Sequence, residues 1–392
     1  MIEVTVEKMA AGGDAIARLV DGRVVFVTGA LPGERVRARV TNEKKDYAKA
    51  VAERVLEASP SRVAPPCEFL AAGCGGCGWQ HIDPSAQLEF KADIVRDALR
   101  RTAKLPEARV FAGGSVSPWE YRTTLRLAVG PSGRVGLRAA SSHRVVEMDH
   151  CLVAHPSLSV LLPFVRVRDA AEVTLRISAA TGEITASASP ADGIVTGLDE
   201  RVGVGPDAVL HEVVAGARLR VSAASFFQSG PAAAELLVRE VRAACSDLLG
   251  GPGGFLDAYG GVGLFAATLG PPDAIIIESS TSACADATVN LPDARVECVA
   301  FEQWQPQQVR LAVVDPARAG LGAAAAAVLA ATGAERIVLV SCDPVSLARD
   351  TFLLAGHGYT HDRSTVLDLF PHTPHVEVVT VFARDSGRRA VS

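Results

Sequence analysis

Four short apolar runs in the second half of the chain constrain the fold most. They are Phe255-Leu256-Asp257-Ala258, Ala274-Ile275-Ile276-Ile277, Val309 to Val314, and Val338-Leu339-Val340. Their length and apolar, β-branched character suit buried strands. Each breaks off abruptly: in a Gly-rich turn, in Glu278, in Asp315-Pro316, and in Ser341-Cys342-Asp343-Pro344. Helical patterns follow the first and the last. Such strands build an open α/β sheet, and ligands of these sheets sit beyond the carboxyl ends of the strands. One edge of the sheet therefore collects a glycine loop, two carboxylates and a thiol.

The loop Asp257-Ala258-Tyr259-Gly260-Gly261-Val262-Gly263 lets the backbone approach a ligand closely. Glu278, at the end of the next strand, is placed to hold ribose hydroxyls. Loop and acid together fit a dinucleotide or S-adenosylmethionine, and the Asp-x-Tyr-Gly-Gly-x-Gly form tilts toward the methyl donor. Asp315 joins the same cleft. Cys342 is either a nucleophile or a small buried filler. Near the end, Phe370-Pro371-His372-Thr373-Pro374-His375-Val376-Glu377 returns another carboxylate.

The N-terminal 1–58 alternates in the β manner at Val4 to Val6, Arg23 to Val27 and Arg35 to Val40. Gly12-Gly13, Asp21-Gly22 and Leu31-Pro32-Gly33 supply turns. Several short strands in so few residues suggest a small barrel of the oligonucleotide-binding kind. Arg35, Arg37 and Arg39 share one strand face, and Lys44, Lys45 and Lys49 follow. Such a stripe either tracks phosphates or is a solvated outer face. Gly-Gly-Asp-Ala-Ile-Ala-Arg followed by Leu-Pro-Gly-Glu-Arg-Val resembles the TRAM domain, an RNA-binding barrel. A Pro-rich linker from Ser59 to Pro66 follows.

Cys67, Cys74 and Cys77 then stand in one Gly-rich loop. Thiolates are the ligands that soft metals prefer. Cys151 is the candidate fourth ligand. Four cysteines suit tetrahedral zinc or an iron–sulfur cluster, and the three-plus-one spacing leans toward iron–sulfur. Residues 84–104 read as an amphipathic helix with a basic end, expected to pack on the C-terminal domain. From Trp119 to about Val221 short strands return, with Arg122, Arg126, Arg134, Arg138 and Arg144 as candidate phosphate ligands.

Composition narrows the classes. The chain has 392 residues, room for two or three domains, and a net charge of -5, so any nucleic-acid surface must be local. No apolar segment is long enough and charge-free enough to span a bilayer, which points to the cytoplasm. Eight cysteines in a chain of this length do not resemble a secreted disulfide scaffold.

Taken in order, these motifs resemble the RNA uracil-C5 methyltransferase family, in its TRAM-bearing, iron–sulfur branch. The motifs are Gly-Gly-Cys-Gly, Ser-Phe-Phe-Gln, Asp-x-Tyr-x-Gly-x-Gly, Asp-Pro-Ala-Arg-Ala-Gly, Val-Ser-Cys-x-Pro and Phe-Pro-His-Thr-x-His-x-Glu. The resemblance covers essentially the whole chain. It implies a TRAM domain at 1–58, a central α+β domain at 67–228 and a Rossmann-like methyltransferase domain at 229–392. It implies Cys342 as nucleophile and Glu377 as base. Gln228, Asp257, Tyr259, Gly261, Gly263, Glu278 and Asp315 would bind S-adenosylmethionine, with Glu302 a further candidate. Cys67, Cys74, Cys77 and Cys151 would hold a [4Fe–4S] cluster. The expected partner is RNA, with ribosomal RNA ahead of transfer RNA by analogy, and the expected state is a monomer.

Uracil C5 is too weak a nucleophile to take a methyl group unaided. Thiolate addition at C6 makes C5 enolate-like, and a base must then remove the C5 proton. An adenine amino-methyltransferase would share the cofactor and an Asp-Pro loop. It uses an aromatic ring to stack adenine, and Arg318 stands in that place. A noncatalytic RNA-binding protein would not need both Cys342 and Glu377. Four positions depart from the family pattern: Asp343 for Asn, Leu264 for a polar residue, Gly230 for Asn and Gly260 for Cys. A carboxylate at 343 would oppose thiolate formation if it pointed inward.

Overall fold

In the strands Ile2–Met9 and Arg35–Glu43 alternate residues turn inward, burying Val4, Val6, Val36 and Ala38. A computed structural model describes residues 1–271 and 273–385, so 386–392 of the expected C-terminal domain lie outside the described residues. The strands Ile2–Met9, Ala15–Arg18, Val24–Thr28, Tyr47–Glu57 and Arg35–Glu43 pair in that order and close a barrel. Closure leaves no edge to pair with another chain. Valines and small alanines such as Ala15, Ala17 and Ala50 fill its interior.

The barrel's arginine stripe is not free to track phosphates. Arg35 meets Glu57 at 2.8 Å, Arg37 meets Glu3 at 2.7 Å, and Arg39 meets Glu53 at 2.6 Å. Each guanidinium is matched locally, so this face is a solvated, charge-balanced surface. The central arginines are held too, but not matched one to one. Arg126 and Arg138 converge on Glu172, and Arg144 donates to the carbonyl of Ala72 at 2.8 Å, bracing the cysteine loop.

The central part is a six-stranded, mostly antiparallel sheet. Its order is Gly203–Val204, Ile184–Ser189, Glu172–Ile177, Thr124–Val129, Val135–Arg138, Val145–Glu147. A hairpin, Val209–Val214 with Ala217–Ser222, leads out of it.

The C-terminal part is an eight-stranded sheet. Five parallel strands run in the order Arg295–Cys298, Ile275–Glu278, Phe255–Ala258, Leu311–Val314, Arg336–Ser341. Glu377–Arg384 is inserted antiparallel beside the last, followed by Tyr359–Asp368. The far edge is Val110–Ser115, a strand from the first third of the chain that pairs in parallel with Tyr359–Asp368. The strand order reverses at Phe255–Ala258, and the cleft opens above that point.

The helix Pro84–Arg101 joins the parts. Asp83 caps it by accepting from the Ser85 amide, and Pro84 opens its first turn. It ends three residues short of the expected 104, with Thr102 as its cap. Ala92, Val95 and Leu99 enter the core of the eight-stranded sheet, while Ile94 enters the core of the barrel.

Candidate active site

The nucleophile and base candidates are neighbours by strand register. Ser341 faces Val378 across the antiparallel pair Arg336–Ser341 and Glu377–Arg384. Continued one position outward, the same register brings Cys342 toward Glu377, whose charge acts on the thiol. Burial pushes the Cys342 thiol up to about 11, and the charges of Glu377 and Asp315 push the same way, while Arg318 opposes them. Asp315 is half-buried and is pushed up to about 7 by desolvation. Glu377 is raised well above the usual carboxylate range, by burial first and by Asp315 second. Two carboxyls beside a thiol oppose one another's ionisation, so all three groups are shifted upward together.

Asp343 does not aim at the thiol. It caps the helix Pro344–Gly356, accepting from the amides of Val345 at 2.9 Å and Ser346 at 2.8 Å. Its charge is spent on the helix N-terminus.

A cavity with about 330 Å³ of atom-free space lies above the switch point, lined by Gln228, Tyr259, Gly261 and Asp315 among others. Leu264 gives it an apolar wall. Glu278 accepts from the amides of Gly261 at 3.0 Å and Ser280 at 2.7 Å. Glu302 accepts from the Tyr259 hydroxyl at 3.1 Å. Tyr259 sits at φ 59°, a costly left-handed conformation for a bulky residue, which turns the chain sharply at the strand end. Gly263 caps the helix Leu264–Leu269 behind the cavity. Asp257 is placed differently from a cavity-lining ligand. It is fully buried beneath the loop, its Oδ2 accepts from the Ala266 amide at 2.8 Å, and its Oδ1 has no partner. It positions the loop from below. Gly230 is also explained: a Cβ there would stand 2.5 Å from the Tyr121 carbonyl oxygen, so Asn does not fit this backbone.

The four expected ligand cysteines line one cavity with about 320 Å³ of atom-free space, together with Phe69, Leu137 and Met148. All four thiols are free. Among the described residues, no three His, Cys, Asp or Glu side chains are gathered as a single metal ion requires. Burial raises Cys74 and Cys151, and pushes Cys77 up to about 11; Arg122 opposes the shift at all three. Arg122 itself stacks on Tyr121, 5.6 Å from the ring centroid, and its Nε donates to the Tyr121 hydroxyl. That places it beside the thiols as a fixed positive charge, away from the phosphate-binding role expected from sequence.

Sequence comparison decides the family. The TRAM domain family matches residues 1–52, and the tRNA (Uracil-5-)-methyltransferase family matches residues 232–385. An uncharacterized RNA methyltransferase of Streptomyces avermitilis is 37% identical, covering 97% of both chains. The 23S rRNA (uracil(1939)-C(5))-methyltransferase RlmD of Halomonas elongata is 31% identical, covering 99% of this chain and 90% of the relative. The chain belongs to the RNA uracil-C5 methyltransferase family. Its fold is that of the Pyrococcus abyssi tRNA (uracil-54, C5)-methyltransferase solved with S-adenosyl-L-homocysteine, with a TM-score of 0.73 and 24% identity over 97% of this chain and 100% of that one. Among the described residues no helix is long and apolar enough to cross a membrane.

Several residues that build this methyltransferase's site carry no local sequence signal. The segment that delivers Glu377 is pinned by the helix Pro84–Arg101. Gln87 accepts from the His372 amide at 2.6 Å, and Lys91 pairs with Asp368 at 2.6 Å while donating to the Phe370 carbonyl. Both members of that ion pair are buried. Trp119 stacks on His372 at 4.1 Å. Arg318, which eases the Cys342 thiol downward, approaches His375 at 3.3 Å, and burial holds that imidazole down at about 4. Asp286, fully buried, takes hydrogen bonds from Ser222 and Ser225 and pairs with Arg220. It thereby fixes the strand end that leads to Gln228. Arg318, His372 and His375 stand in the sequence motifs, but the only sequence trace of their partners is a charged residue at an otherwise apolar helix position.

Proposed function

We propose that this methyltransferase modifies C5 of a uridine in ribosomal RNA through a covalent adduct between Cys342 and uracil C6. The observation that carries the reading is the register bringing Cys342 toward Glu377, with the charge of Asp315 acting on both. S-adenosylmethionine supplies an electrophilic methyl group when bound. Cys342 adds to C6 as the thiolate and raises electron density at C5. Arg318 favours that ionisation. After methylation at C5, ionised Glu377 accepts the C5 proton, and the electrons of that bond expel Cys342 from C6. A raised pKa suits this task, because a stronger base draws a proton from carbon more readily. The target base must leave its stack to reach the thiol.

The cysteine cavity supports a [4Fe–4S] cluster on Cys67, Cys74, Cys77 and Cys151. A single zinc holds sulfur at about 2.3 Å and needs its thiolates drawn together around one point. Four thiols lining one cavity, with Arg122 to balance negative charge, are the observations behind the cluster reading. Bound there, the cluster would tie the Gly-rich loop to the Asp149-His150-Cys151 turn. Ribosomal RNA is favoured over transfer RNA by the name of the Halomonas relative, which matches over nearly the whole chain.

The test is methyl transfer to unmodified 23S rRNA and tRNA transcripts, with the product located by nuclease digestion and mass mapping. A single 5-methyluridine in the ribosomal transcript is the expected result. Methylation of the tRNA alone would reassign the substrate, and methylation at a carbon other than C5 would overturn the reaction.

A further inference from the structure

Eight cysteines stand in the chain, and the active site and the cysteine cavity take five: Cys342, Cys67, Cys74, Cys77 and Cys151. Cys245 is buried at the end of the helix Pro231–Cys245 and donates to the Val241 carbonyl at 3.0 Å, one turn back, as a core residue does. Cys284 and Cys298 remain. They meet beside Glu278, at the outer edge of the eight-stranded sheet.

Both sulfurs converge on that one residue. The Cys284 thiol, in the first turn of the helix Thr281–Asn290, donates to the Glu278 carbonyl at 3.4 Å. Cys298 is the register partner of Glu278 on the neighbouring parallel strand, and such strands run about 4.8 Å apart. The helix packs on both strands. Burial, and after it the Cys298 thiol, push Cys284 up to about 12. Cys298 is exposed and Cys284 is buried. An accessible thiol backed by a second one is the arrangement of an attacking and a resolving cysteine.

Glu278 is also a fixture of the cofactor cleft. Its carboxylate accepts from the amides of Gly261 at 3.0 Å, Ser279 at 2.7 Å and Ser280 at 2.7 Å. Its carbonyl accepts from the Val299 amide at 2.8 Å as well as from Cys284. Ser280 in turn caps the helix that carries Cys284. An S–S bond of about 2.05 Å would draw the first turn of this helix toward Arg295–Cys298 and end the donation to the Glu278 carbonyl. The carboxylate and the glycine loop hang on the segment that moves.

We propose that Cys284 and Cys298 form a dithiol modification site, closed to an internal disulfide by small-molecule disulfides, and that closure weakens S-adenosylmethionine binding. The second half rests on the reading of Glu278 as a cofactor residue. The Cys298 thiolate attacks one sulfur of the small disulfide, whose S–S bond breaks and releases a first thiol. Cys284, as thiolate, then attacks the Cys298 sulfur of the mixed disulfide and expels the second thiol. The protein loses two electrons and two protons, and the small disulfide gains them as two thiols.

The experiment uses the full-length protein, purified anaerobically, with oxidised glutathione as the probe. Trypsin and a Glu-specific protease cut at Arg295 and Glu278, so mass mapping separates Cys284 from both Cys245 and Cys298. Oxidised wild type should yield the cross-linked Cys284 and Cys298 peptides. Its S-adenosylmethionine affinity, measured by calorimetry, should fall at least about fivefold, the lower end of coupling between sites. Dithiothreitol should restore it. Cys284→Ala should stop at a glutathione adduct on Cys298. Cys298→Ser under the same oxidant should keep the affinity of the reduced wild type, which separates the pair from oxidation at Cys342 or in the cysteine cavity. Glutathione on wild-type Cys298 without the cross-link, a cross-link that leaves affinity unchanged, or an equal loss in Cys298→Ser would overturn the proposal. A reduced Glu278→Gln protein that binds S-adenosylmethionine as tightly as wild type would overturn the reading of Glu278 instead, while the dithiol site stands or falls on the peptide map.

Discussion

Two regions of this molecule keep thiols protonated, by different means and to different ends. At Cys342 one thiol is raised by burial and by two carboxyl groups, with Arg318 as the single counterweight. In the cysteine cavity Cys74, Cys77 and Cys151 are raised by burial without a carboxylate among the main influences, and Arg122 opposes the shift. The first arrangement suits a nucleophile that ionises only when substrate fills the cleft and alters the local charge. The second suits ligands that surrender their protons to a metal and then need a cation to balance the anionic product. Cysteine reactivity here is set by the neighbours and not by the residue.

Removing the thiols should separate the regions. Cys342→Ala is expected to reduce methylation by at least about ten-thousandfold, as loss of a covalent nucleophile does. S-adenosylmethionine affinity, measured by calorimetry, should be unchanged. Substantial residual turnover would erase the distinction between the two regions.

Glu377→Gln should lower steady-state turnover by about a hundredfold to ten-thousandfold, the usual worth of a positioned base. Addition and methyl transfer precede the blocked step. The variant should therefore accumulate a protein–RNA adduct that carries the methyl group, survives denaturing electrophoresis, and disappears when Cys342 is also replaced. A variant that releases methylated RNA at near wild-type rate sinks Glu377 as the base.

The pH dependence of single turnover sharpens the contrast further. Cys342 is raised, so its thiolate is scarce at neutral pH and grows about tenfold per pH unit below its pKa. Asp315 and Glu377, raised as well, gain their negative charge in the same direction. The rate should climb from pH 6.5 to about 9. A flat profile across that range would show that the protons are not held as the geometry requires.

Cys77→Ser should abolish iron and sulfide in anaerobically purified protein, and lower the melting temperature, while leaving S-adenosylmethionine affinity within about twofold, since sites without shared partners respond independently. Stoichiometric zinc without sulfide in the wild type would replace the cluster by a single-ion site. The smallest effect is expected at Asp343. Its replacement by Asn keeps the cap and should be nearly silent, whereas Asp343→Ala should cost about 1 kcal/mol in denaturant unfolding.

Much of this contrast was legible in sequence because both thiol sets announce themselves locally. A strand ending in Ser-Cys-Asp-Pro needs no distant partner to be recognised, nor does a Gly-rich loop with three cysteines. The parallel strands and their terminal Glu278 and Asp315 were equally plain, since each run is apolar on both faces. Features made by distant residues were not. The stripe of Arg35, Arg37 and Arg39 shows its periodicity, but its neutralisation depends on Glu3, Glu53 and Glu57 arriving on adjacent strands. Asp257 belongs to the right motif, yet only the backbone path shows that its carboxylate lies under the loop. Lys91 looks like one more charge on an amphipathic helix until Asp368, far along the chain, is found beside it.

Trp79 donates its indole hydrogen to the Gly13 carbonyl at 3.1 Å, and a Cβ on Gly13 would lie 2.9 Å from Pro374. Gly13 has φ +99°, which L side chains rarely adopt, so the contact is closed to other residues on two counts. The tip of the N-terminal barrel is thus a fitting for the segment that ends in Glu377. A chimera with another protein's barrel would lose the wedge beneath the segment that carries Glu377. Recombination among relatives should therefore preserve the barrel turn, Trp79 and the Pro374 segment as one inherited unit, although they are scattered over nearly the full length of the chain.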